Sequence, residues 1–397
     1  MKHLTEEQLK RDLEIRDLSN PEQGPHCMQQ LMGEVIDALT KYWNCPVTIY
    51  RESPIVSIED NYDKLGIDKE SVLRSEVYTR YVDDNHVLRT MASTMVPRGL
   101  QSIKDKIKPN RLLACVGLVY RRDQIDRIHS GVHHQLDLWY TSETPVAEAD
   151  MQAMIDIIVE VVTGRKNAEY EVIPKVHPYT LNGREVDVIW NGKPVEILEC
   201  GLTNPKILEE NGCGGKYGLA LGLGLERILM VRKNIKDIRL LRSENEKVQC
   251  QMQDLKPYNE VSSMPPVVRD ISVVVDKNLD IELLGDMVRD SGVDTHLIEE
   301  VSILSETAYE DLPQKAKERL GIESNEKNLL VRIVLRSLER TLTNEECNEY
   351  RDLIYKHIST KDGYLNYVKK GDCWYARYIK FNGATKKNPT EIKYGFK

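Results

Sequence analysis

Two carboxylates that flank a predicted β-turn are the first residues of this chain to suggest a reaction. The dipeptide Asn191-Gly192 separates two β-rich runs, REVDVIW and KPVEILECG, and it is a strong signal for a two-residue type I′ hairpin turn. In that register Asp187 lies opposite Glu196, on the face away from the apolar residues of both runs. Like charges in direct opposition destabilise a sheet unless a cation lies between them, so the pair predicts a Mg²⁺ site. The alternative is an exposed hairpin whose acids are only solvated.

A glycine-rich loop further along the chain is the second candidate. In LALGLGLER, Gly222 and Gly224 precede a predicted helix whose first turn carries Arg227. Glycines alone are weak evidence, because they also allow two backbones to pack closely. An arginine just inside a helix that follows such a loop favours a site for an anion or a nucleotide.

The third candidate is a charged loop with histidines, in GLVYRRDQIDRIHSGVHHQLDLWY, which lies between two predicted strands. His129, His133 and His134 are of a type that binds metals. Adjacent residues of a strand point to opposite faces, however, so His133 and His134 are poorly placed to bind one ion. The spacing therefore disfavours a zinc site.

The elements that carry these residues predict a mixed α and β domain. Apolar residues recur at helical spacing over 24–43 and 147–162, and a further helix follows the glycine-rich loop over 224–232. Short β-rich runs lie between residues 78 and 139 and return over 186–198. Strands with few helices between them favour a mostly antiparallel sheet flanked by helices, which is an α+β fold.

A change of pattern in the second half of the chain predicts a second domain. Residues 243–264 are polar and end before two prolines, which is typical of a linker. The order β-α-β-β-α over 265–361 matches a ferredoxin-like unit. Its last helix is predicted to begin with a capping box of Thr343 and Glu346.

The remaining segment, 362–397, is basic and aromatic. It holds eight Lys and Arg residues against three acids, a net charge of +5, whereas the whole chain has a net charge of −8. Cations that alternate with aromatic rings suit unpaired bases, on which the rings stack. The alternative is a closing strand or a final hairpin with a solvated basic edge.

Composition limits the classes of protein that fit. An overall charge of −8 disfavours binding to nucleic acid through bulk electrostatics. No apolar run is long enough to cross a bilayer and the first residues lack a signal-peptide pattern, so a cytoplasmic protein without a membrane partner is expected. The eight cysteines form no CxxC pair, so they predict reduced thiols without a structural metal.

These segments, in this order, resemble a known family. Residues 20–242, with RESPIVSIEDNYDKLGI, HVLRT, GLVYRRDQIDRIHSGVHHQ, EVDVIWNGKPVEILECG and GLALGLGLERILMVRKNIKDIRLL, resemble the catalytic α chain of phenylalanyl-tRNA synthetase, a class II synthetase. The later part, from MPPVVRDISVVV to LERTLTNEECNE, resembles the anticodon-binding ferredoxin-like module of the same family. The resemblance implies a class II catalytic domain over 1–242 and an anticodon-binding-like domain over 265–361.

The resemblance also implies roles at the ATP end of a site. Arg121 stands at the family's arginine that grips the α-phosphate, and His129 stands where the loop faces the triphosphate tail. His133 replaces a phenylalanine that covers the adenine, and Arg227 stands at the arginine that packs on its other side. The remaining matches at this end are the Mg²⁺ pair Asp187 and Glu196 and the loop glycines Gly222 and Gly224.

The amino-acid pocket departs from the family pattern. Gln135 is kept, but the glutamate that would hold the substrate ammonium is Asp137, and a family glycine is Glu199. The positions implied to line this pocket are Met91, Ser93, Gln135, Asp137, His177, Tyr179 and Glu199. A more polar wall makes an amino acid other than phenylalanine possible. The favoured alternative for Glu199 is a cross-strand ion pair with Arg184, its partner in the unbroken hairpin register.

The resulting hypothesis is an enzyme that uses ATP and Mg²⁺ to form an aminoacyl adenylate and transfers the amino acid to tRNA, acting as a monomer or a homodimer. One alternative is a paralogue that activates a different amino acid for another acceptor. A second is a catalytically silent RNA-binding descendant, which the retained Arg121, Arg227, Asp187 and Glu196 disfavour.

Overall fold

The computed structural model describes residues 3–76, 78–261 and 264–361, together with the backbone of three strands between Gly363 and Tyr394. The side chains of the basic aromatic segment lie outside the described residues. The chain divides into two compact units, the first formed by Met1–Arg122 and Arg127–Val261 and the second by Asp123–Asp126 and Ser262–Lys397.

The first unit is built on a seven-stranded sheet with the strand order β1-β4-β5-β9-β8-β7-β6. All neighbouring strands are antiparallel except β1, which runs parallel to β4, while β2 and β3 pair separately. The strands are β1 Val47–Tyr50, β2 Ile55–Ser57, β3 His86–Leu88, β4 Asn110–Tyr120, β5 Val132–Ser142, β6 Tyr170–Pro174, β7 Thr180–Trp190, β8 Lys193–Thr203 and β9 Tyr217–Gly224. The predicted α+β class with a mostly antiparallel sheet is confirmed.

Helices flank this sheet. They are α1 Glu6–Leu13, α2 Cys27–Trp43, α3 Ile58–Asn61, α4 Val96–Ile103, α5 Glu148–Thr163, α6 Pro205–Glu210, α7 Leu225–Lys233 and α8 Glu246–Gln249. Helices α2, α5 and α7 pack on one another, and α2 buries the apolar face predicted from its sequence, including Met28, Leu31 and Val35. At the end of α2 the ring of Trp43 stacks on Tyr140 of β5, with 4.2 Å between ring centroids.

The β7–β8 hairpin turns at the predicted dipeptide. Asn191 and Gly192 both have positive φ values, 50° and 75°, as a type I′ turn requires. Further from the turn the register shifts, because Asp187 pairs with Glu196 whereas Val186 pairs with Leu198. Ile197 is therefore an extra residue on β8, and its presence changes which β8 side chains share a face with the carboxylates of β7.

The predicted linker over 243–264 is largely part of the first unit. It contains α8 and a 3₁₀ turn, Cys250–Gln253, and buries Val248 and Met252. The ammonium of buried Lys233 donates to the carbonyl oxygens of Asp254 and Lys256, both at 2.7 Å. These contacts hold the segment against the first unit, so a polar composition did not make it a free linker here.

The second unit contains a three-stranded antiparallel sheet in the order β10-β12-β11. Its elements are β10 Val267–Asp276, α9 Ile281–Arg289, β11 Ile298–Ala308, α10 Gln314–Leu320, β12 Glu326–Leu335 and α11 Asn344–Ile358. The core includes Val273, Leu284, Val331 and Ile354, which come from sheet and helices. The capping box of Thr343 and Glu346 is present at the start of α11.

The last strands of the second unit form a sheet of their own. Strands β13 Gly363–Lys370, β14 Cys373–Lys380 and β15 Ile392–Tyr394 pair in the order β13-β14-β15, and all pairs are antiparallel. In the strand pairing that the structure gives, β13 joins β14 rather than the β10-β12-β11 sheet. A strand near Tyr364 therefore does not close the ferredoxin-like sheet.

Candidate active site

The carboxylates of Asp187 and Glu196 lie directly opposite each other on β7 and β8, as predicted. Asp187 is only 9% exposed, and its Oδ1 atom is buried without a hydrogen-bond partner among the described residues. Burial raises the pKa of Asp187, and the neighbouring charges of Glu185, Glu196 and Glu171 raise it further. The charge of Arg227 opposes this shift and offsets only part of the negative charge, so the oxygen atoms suit a divalent cation.

The described residues contain no group of three or more His, Cys, Asp or Glu side chains arranged to hold a metal ion. Two carboxylates are nevertheless the number with which proteins commonly hold Mg²⁺ when substrate phosphates and water complete the octahedron. The donor set therefore fits Mg²⁺ shared with a phosphate, and it does not fit a closed structural metal site.

Arg227 lies beside this pair. Helix α7 begins after Gly224, and its third residue directs the guanidinium back to β8, where Nη1 lies 3.1 Å from the Glu196 carboxylate. The same Nη1 donates to the main-chain oxygen of Glu196 at 3.2 Å. A planar cation is thus placed next to the carboxylate pair, where it can contact a nucleotide that reaches the metal.

Arg121 and His133 meet across the start of the β4–β5 loop. Arg121 follows β4 directly, and its Nη2 lies 3.0 Å from Nε2 of His133 on β5. Nδ1 of His133 lies 3.1 Å from the carbonyl oxygen of Ser130, so Nδ1 donates there and Nε2 accepts from the arginine. Burial and the charge of Arg121 lower the pKa of His133 to about 3, which leaves a neutral ring.

His134 faces the other side of the sheet, which agrees with the argument against a shared zinc site. Its Nδ1 lies 2.6 Å from the carboxylate of Glu226, and its main-chain N–H donates to the same carboxylate at 2.8 Å. Its Nε2 lies 3.2 Å from the carboxylate of Asp17. Burial would raise the pKa of Glu226, but the charge and hydrogen bond of His134 lower it to about 2.

Glu226 was not recognised from the sequence. It is the neighbour of Arg227 on α7, and its bonds to His134 tie the start of that helix to β5. Glu226 and His134 are 92 residues apart in the chain, so no local pattern connects them. The one indication in the sequence was a glutamate next to the candidate arginine, and that glutamate is buried in the fold.

A row of residues crosses the sheet at the amino-acid end. Asp137 on β5 pairs with Gly222 on β9, which pairs with Glu199 on β8, which pairs with Glu185 on β7. Lateral neighbours in a sheet share a face, so these four residues lie on the same side, which we call the site face. Burial, with a smaller contribution from the charge of Glu199, raises the pKa of Asp137 to about 7, although a hydrogen bond from Ser93 and the charge of His177 oppose the shift.

Small residues of β9 leave room on the site face. Gly218, Ala220, Gly222 and Gly224 alternate with leucines along the strand, so the site face of β9 has almost no side chains. A Cβ atom added at Gly222 would lie 2.8 Å from Oδ1 of Asp137. We call this line of small residues on β9 the trough. Next to it the side chain of Gln135 accepts a hydrogen bond from the main-chain N–H of Ala92 at 3.0 Å.

Aromatic side chains stand at the end of the trough. The rings of His177 and Tyr179 stack with 5.5 Å between centroids, and Tyr179 lies 6.2 Å from Trp139. The side chain of His177 is only 8% exposed, and Tyr179 is half-buried. Met91 and Tyr179 pack against the cluster of Tyr62, Leu65 and Ile67, so the predicted pocket positions come together from distant segments.

The predicted ion pair between Glu199 and Arg184 is wrong. The extra residue Ile197 shifts the register, so Glu199 lies opposite Glu185 and Arg184 lies opposite Cys200. Glu199 instead bonds to Nε2 of His177 and to Nζ of Lys175, both at 3.0 Å. Arg184 pairs with Glu148 of α5 at 3.1 Å.

The remaining predicted residue, His129, lies half-buried in the loop between β4 and β5. The structure thus assembles the two predicted ends of a site on one sheet. Arg227 stands beside the carboxylate pair at one end, and Asp137, Glu199 and the aromatic rings stand at the other.

Comparison with known proteins gives matches over both halves of the chain. Residues 10–252 match the model of the tRNA synthetases class II core domain (F), and residues 262–364 match that of the ferredoxin-fold anticodon binding domain. None of the helices in the described residues is long and apolar enough to cross a membrane.

Individual relatives carry related names. A chloroplastic/mitochondrial phenylalanine–tRNA ligase of Arabidopsis thaliana is 30% identical over 326 residues, which are 78% of this chain and 70% of that protein. The phenylalanine–tRNA ligase alpha subunit of Prochlorococcus marinus (strain MIT 9312) is 30% identical over 230 residues, 57% of this chain and 64% of that subunit. A probable mitochondrial phenylalanine–tRNA ligase of Drosophila melanogaster is 24% identical over 370 residues, 78% and 75% of the two chains.

Proposed function

Because the chain belongs to the phenylalanine–tRNA ligase family of class II tRNA synthetases, we propose that it activates an amino acid with ATP and transfers it to tRNA. The observation that carries the proposal is the buried Oδ1 of Asp187, which has no hydrogen-bond partner within the described ranges. It lies opposite Glu196, and Arg227 stands beside the pair. A site kept only for folding would gain stability by losing one of these opposed charges.

In the proposed reaction the amino-acid carboxylate attacks the α-phosphorus of ATP. One carboxylate oxygen forms a bond to that phosphorus, the bond to the bridging oxygen of the β-phosphate breaks, and pyrophosphate leaves. No covalent bond to the enzyme is needed, so the protein contributes position and charge.

Each side chain at the ATP end has a role in this proposal. Asp187 and Glu196 would hold Mg²⁺, which supplies charge neutralisation at the phosphate oxygens when bound. Arg121 would contact the α-phosphate. The ring of His133 is uncharged and is held by its bonds to Arg121 and Ser130, so it can stack on the adenine. The other residues assigned to ATP are Arg227, His129, Gly222 and Gly224.

The amino-acid end would hold the substrate by its α-ammonium. Asp137 is buried beside the trough above Gly222, and Gln135 stands two residues earlier on the same face. A carboxylate in a largely desolvated position binds a cation strongly once it is ionised. The other positions assigned to this pocket are Met91, Ser93, His177, Tyr179 and Glu199.

The acceptor is proposed to be tRNA because the second unit matches an anticodon-binding domain and the relatives are named as tRNA ligases. A monomeric or homodimeric state stays a prediction, and one relative is named as an alpha subunit. A cytoplasmic location also stays a prediction, since the names of two relatives place them in organelles.

The test is ATP–pyrophosphate exchange over a panel of amino acids, followed by charging of total tRNA with each amino acid that supports exchange. We expect exchange with at least one amino acid and stable aminoacylation of tRNA by the same one. Exchange without charging would support the paralogue with another acceptor, and failure of both would support the silent descendant.

A further inference from the structure

The Glu199 carboxylate lies within the proposed amino-acid pocket and not at its edge. Gly222 is its direct neighbour on β9, and beyond that glycine lies Asp137 on β5. Neighbouring strands are about 4.8 Å apart, so the backbones that carry the two acids are separated by about 10 Å. Gly222 between them adds no side chain, and Oδ1 of Asp137 lies over it. An amino acid held by Asp137 would extend over Gly222 toward Glu199.

The protein keeps Glu199 charged. Burial would raise the pKa of this carboxyl group, but hydrogen bonds from His177 and Lys175 lower it to about 2. Lys175 also bonds to Glu185 at 2.5 Å, which compensates two acids that face each other across β7 and β8. Lys175 would still compensate Glu185 if Glu199 were absent, whereas Nε2 of His177 bonds to Glu199.

The two bonds leave Glu199 able to accept more. A carboxylate offers about four lone-pair sites, and His177 and Lys175 use one on each oxygen. The side chain of Glu199 retains 31% exposure, so a further donor can reach it. The ring of His177 is itself fixed, because its Nδ1 lies 3.0 Å from the hydroxyl of Thr180 and its ring stacks on Tyr179.

We propose that the amino acid activated here carries a hydrogen-bond donor at the end of its side chain, which the Glu199 carboxylate accepts. This inference rests on the proposed function and specifies its substrate. Two chemistries provide such a donor: a ring hydroxyl, which would suit the aromatic wall of His177, Tyr179 and Trp139, and an aliphatic ammonium. A phenyl ring offers no donor and would bury the carboxylate without forming a bond to it.

The experiment compares matched pairs of amino acids in ATP–pyrophosphate exchange with the full chain. Tyrosine against phenylalanine tests the hydroxyl, and lysine against norleucine tests the ammonium. The panel also includes the remaining standard amino acids, 3,4-dihydroxyphenylalanine and ornithine. We expect the donor-bearing member of one pair to have at least about 100-fold higher kcat/KM, since a site built for a donor strongly rejects the analogue that lacks it.

Variants connect this preference to Glu199. Glu199→Gly should reduce the ratio of kcat/KM between the two members of the preferred pair to about tenfold or less, because the hydrogen-bond acceptor is gone. Glu199→Gln, which keeps the size of the side chain, should reduce it by a smaller factor. Glu148→Gln removes a carboxylate that pairs with Arg184 and should leave the ratio unchanged. Thermal melting of each variant verifies that it is folded.

The outcomes separate this inference from the function on which it rests. Exchange that favours phenylalanine over tyrosine and norleucine over lysine overturns the donor proposal and leaves amino-acid activation standing. A ratio that Glu199→Gly and Glu199→Gln both leave unchanged also overturns it. Absence of exchange with every amino acid of the panel overturns the proposed function, and this inference with it.

Discussion

Two carboxylates of the site face, Asp187 at the ATP end and Glu199 at the amino-acid end, are held in opposite ways. At the ATP end one buried oxygen atom of Asp187 has no hydrogen-bond partner in the part of the chain that the structure describes, and its pKa is raised by burial and by three neighbouring acids. At the amino-acid end one oxygen atom of Glu199 is bonded to Lys175 and the other to His177, and the pKa of Glu199 is lowered to about 2. The negative charge at Asp187 is balanced only when a cation binds, whereas the negative charge of Glu199 is balanced by residues of the protein.

This difference indicates what each end has to recognise. A metal-bound nucleotide brings its own positive charge, so the protein can leave the acids at that end only partly compensated. An amino acid whose side-chain donor is a neutral hydroxyl brings no positive charge to Glu199, so the protein itself must stabilise that acid.

Removing a carboxylate at the ATP end should abolish activation and spare the fold. Asp187→Asn or Glu196→Gln is expected to lower exchange by about 1,000-fold or more, because metal charge stabilisation contributes several kcal/mol. Melting without metal should show unchanged or slightly higher stability, since two opposed like charges are relieved. Glu148→Gln, which removes an acid elsewhere, is the control. Normal exchange in either variant would disprove the metal assignment.

The arginines of the same end should matter less than the metal site. Arg121→Ala and Arg227→Ala are each expected to lower kcat/KM by about 100-fold, as found for donors directed at transition-state charge. Steady-state exchange at saturating Mg²⁺ measures this effect. Arg184→Ala, whose guanidinium pairs with Glu148, serves as a control. If both active-site variants lose less than about threefold, the assignment of these two arginines to the ATP site is wrong.

Activity should depend on pH through Asp137 at the amino-acid end of the site. The pKa of Asp137 is raised to about 7, so the group becomes protonated as the pH falls through that value and no longer attracts the α-ammonium. We expect kcat/KM for the amino acid to fall about tenfold per pH unit below about 7. Asp137→Asn should lower activity and remove this limb, whereas a limb of unchanged position would contradict the assignment.

The smallest effect on activity is expected from Glu226→Gln. This change weakens the bonds to His134 that hold the start of α7, and with it Arg227, against β5. A few-fold loss of exchange should accompany a loss of about 1–3 kcal/mol of stability, the cost of disturbing a buried hydrogen-bonded charge. The folded pKa of Glu226, about 2, lies below its ordinary 4.5, so its stabilisation is complete above about 4.5 and is lost as pH falls toward 2.

Denaturant unfolding between pH 3 and pH 7 would measure this contribution. The difference in unfolding free energy between the wild type and Glu226→Gln should shrink toward the acid end. Glu34→Gln, an exposed partner of Arg232, should show no such pH-dependent difference. A constant difference across the range would show that the charge of Glu226 is not what stabilises the helix.

Local sequence was sufficient for the features that depend on near neighbours. The turn at Asn191-Gly192 follows from the positive φ values that these residue types tolerate, and it places Asp187 opposite Glu196 a few residues away. The capping box of Thr343 and Glu346 is likewise a contact between residues three positions apart. The antiparallel α+β architecture and the ferredoxin-like order followed from the alternation of apolar residues.

Features that depend on distant contacts required the folded chain. Ile197 adds one residue to β8, and since side chains alternate between faces, this single insertion moves Glu199 from the side of Arg184 to the side of Asp187. No local pattern marks such a bulge, because its position depends on how both strands pack. The bond from His134 to Glu226, across 92 residues, and the burial of residues 243–261 against the first unit are tertiary contacts of the same kind.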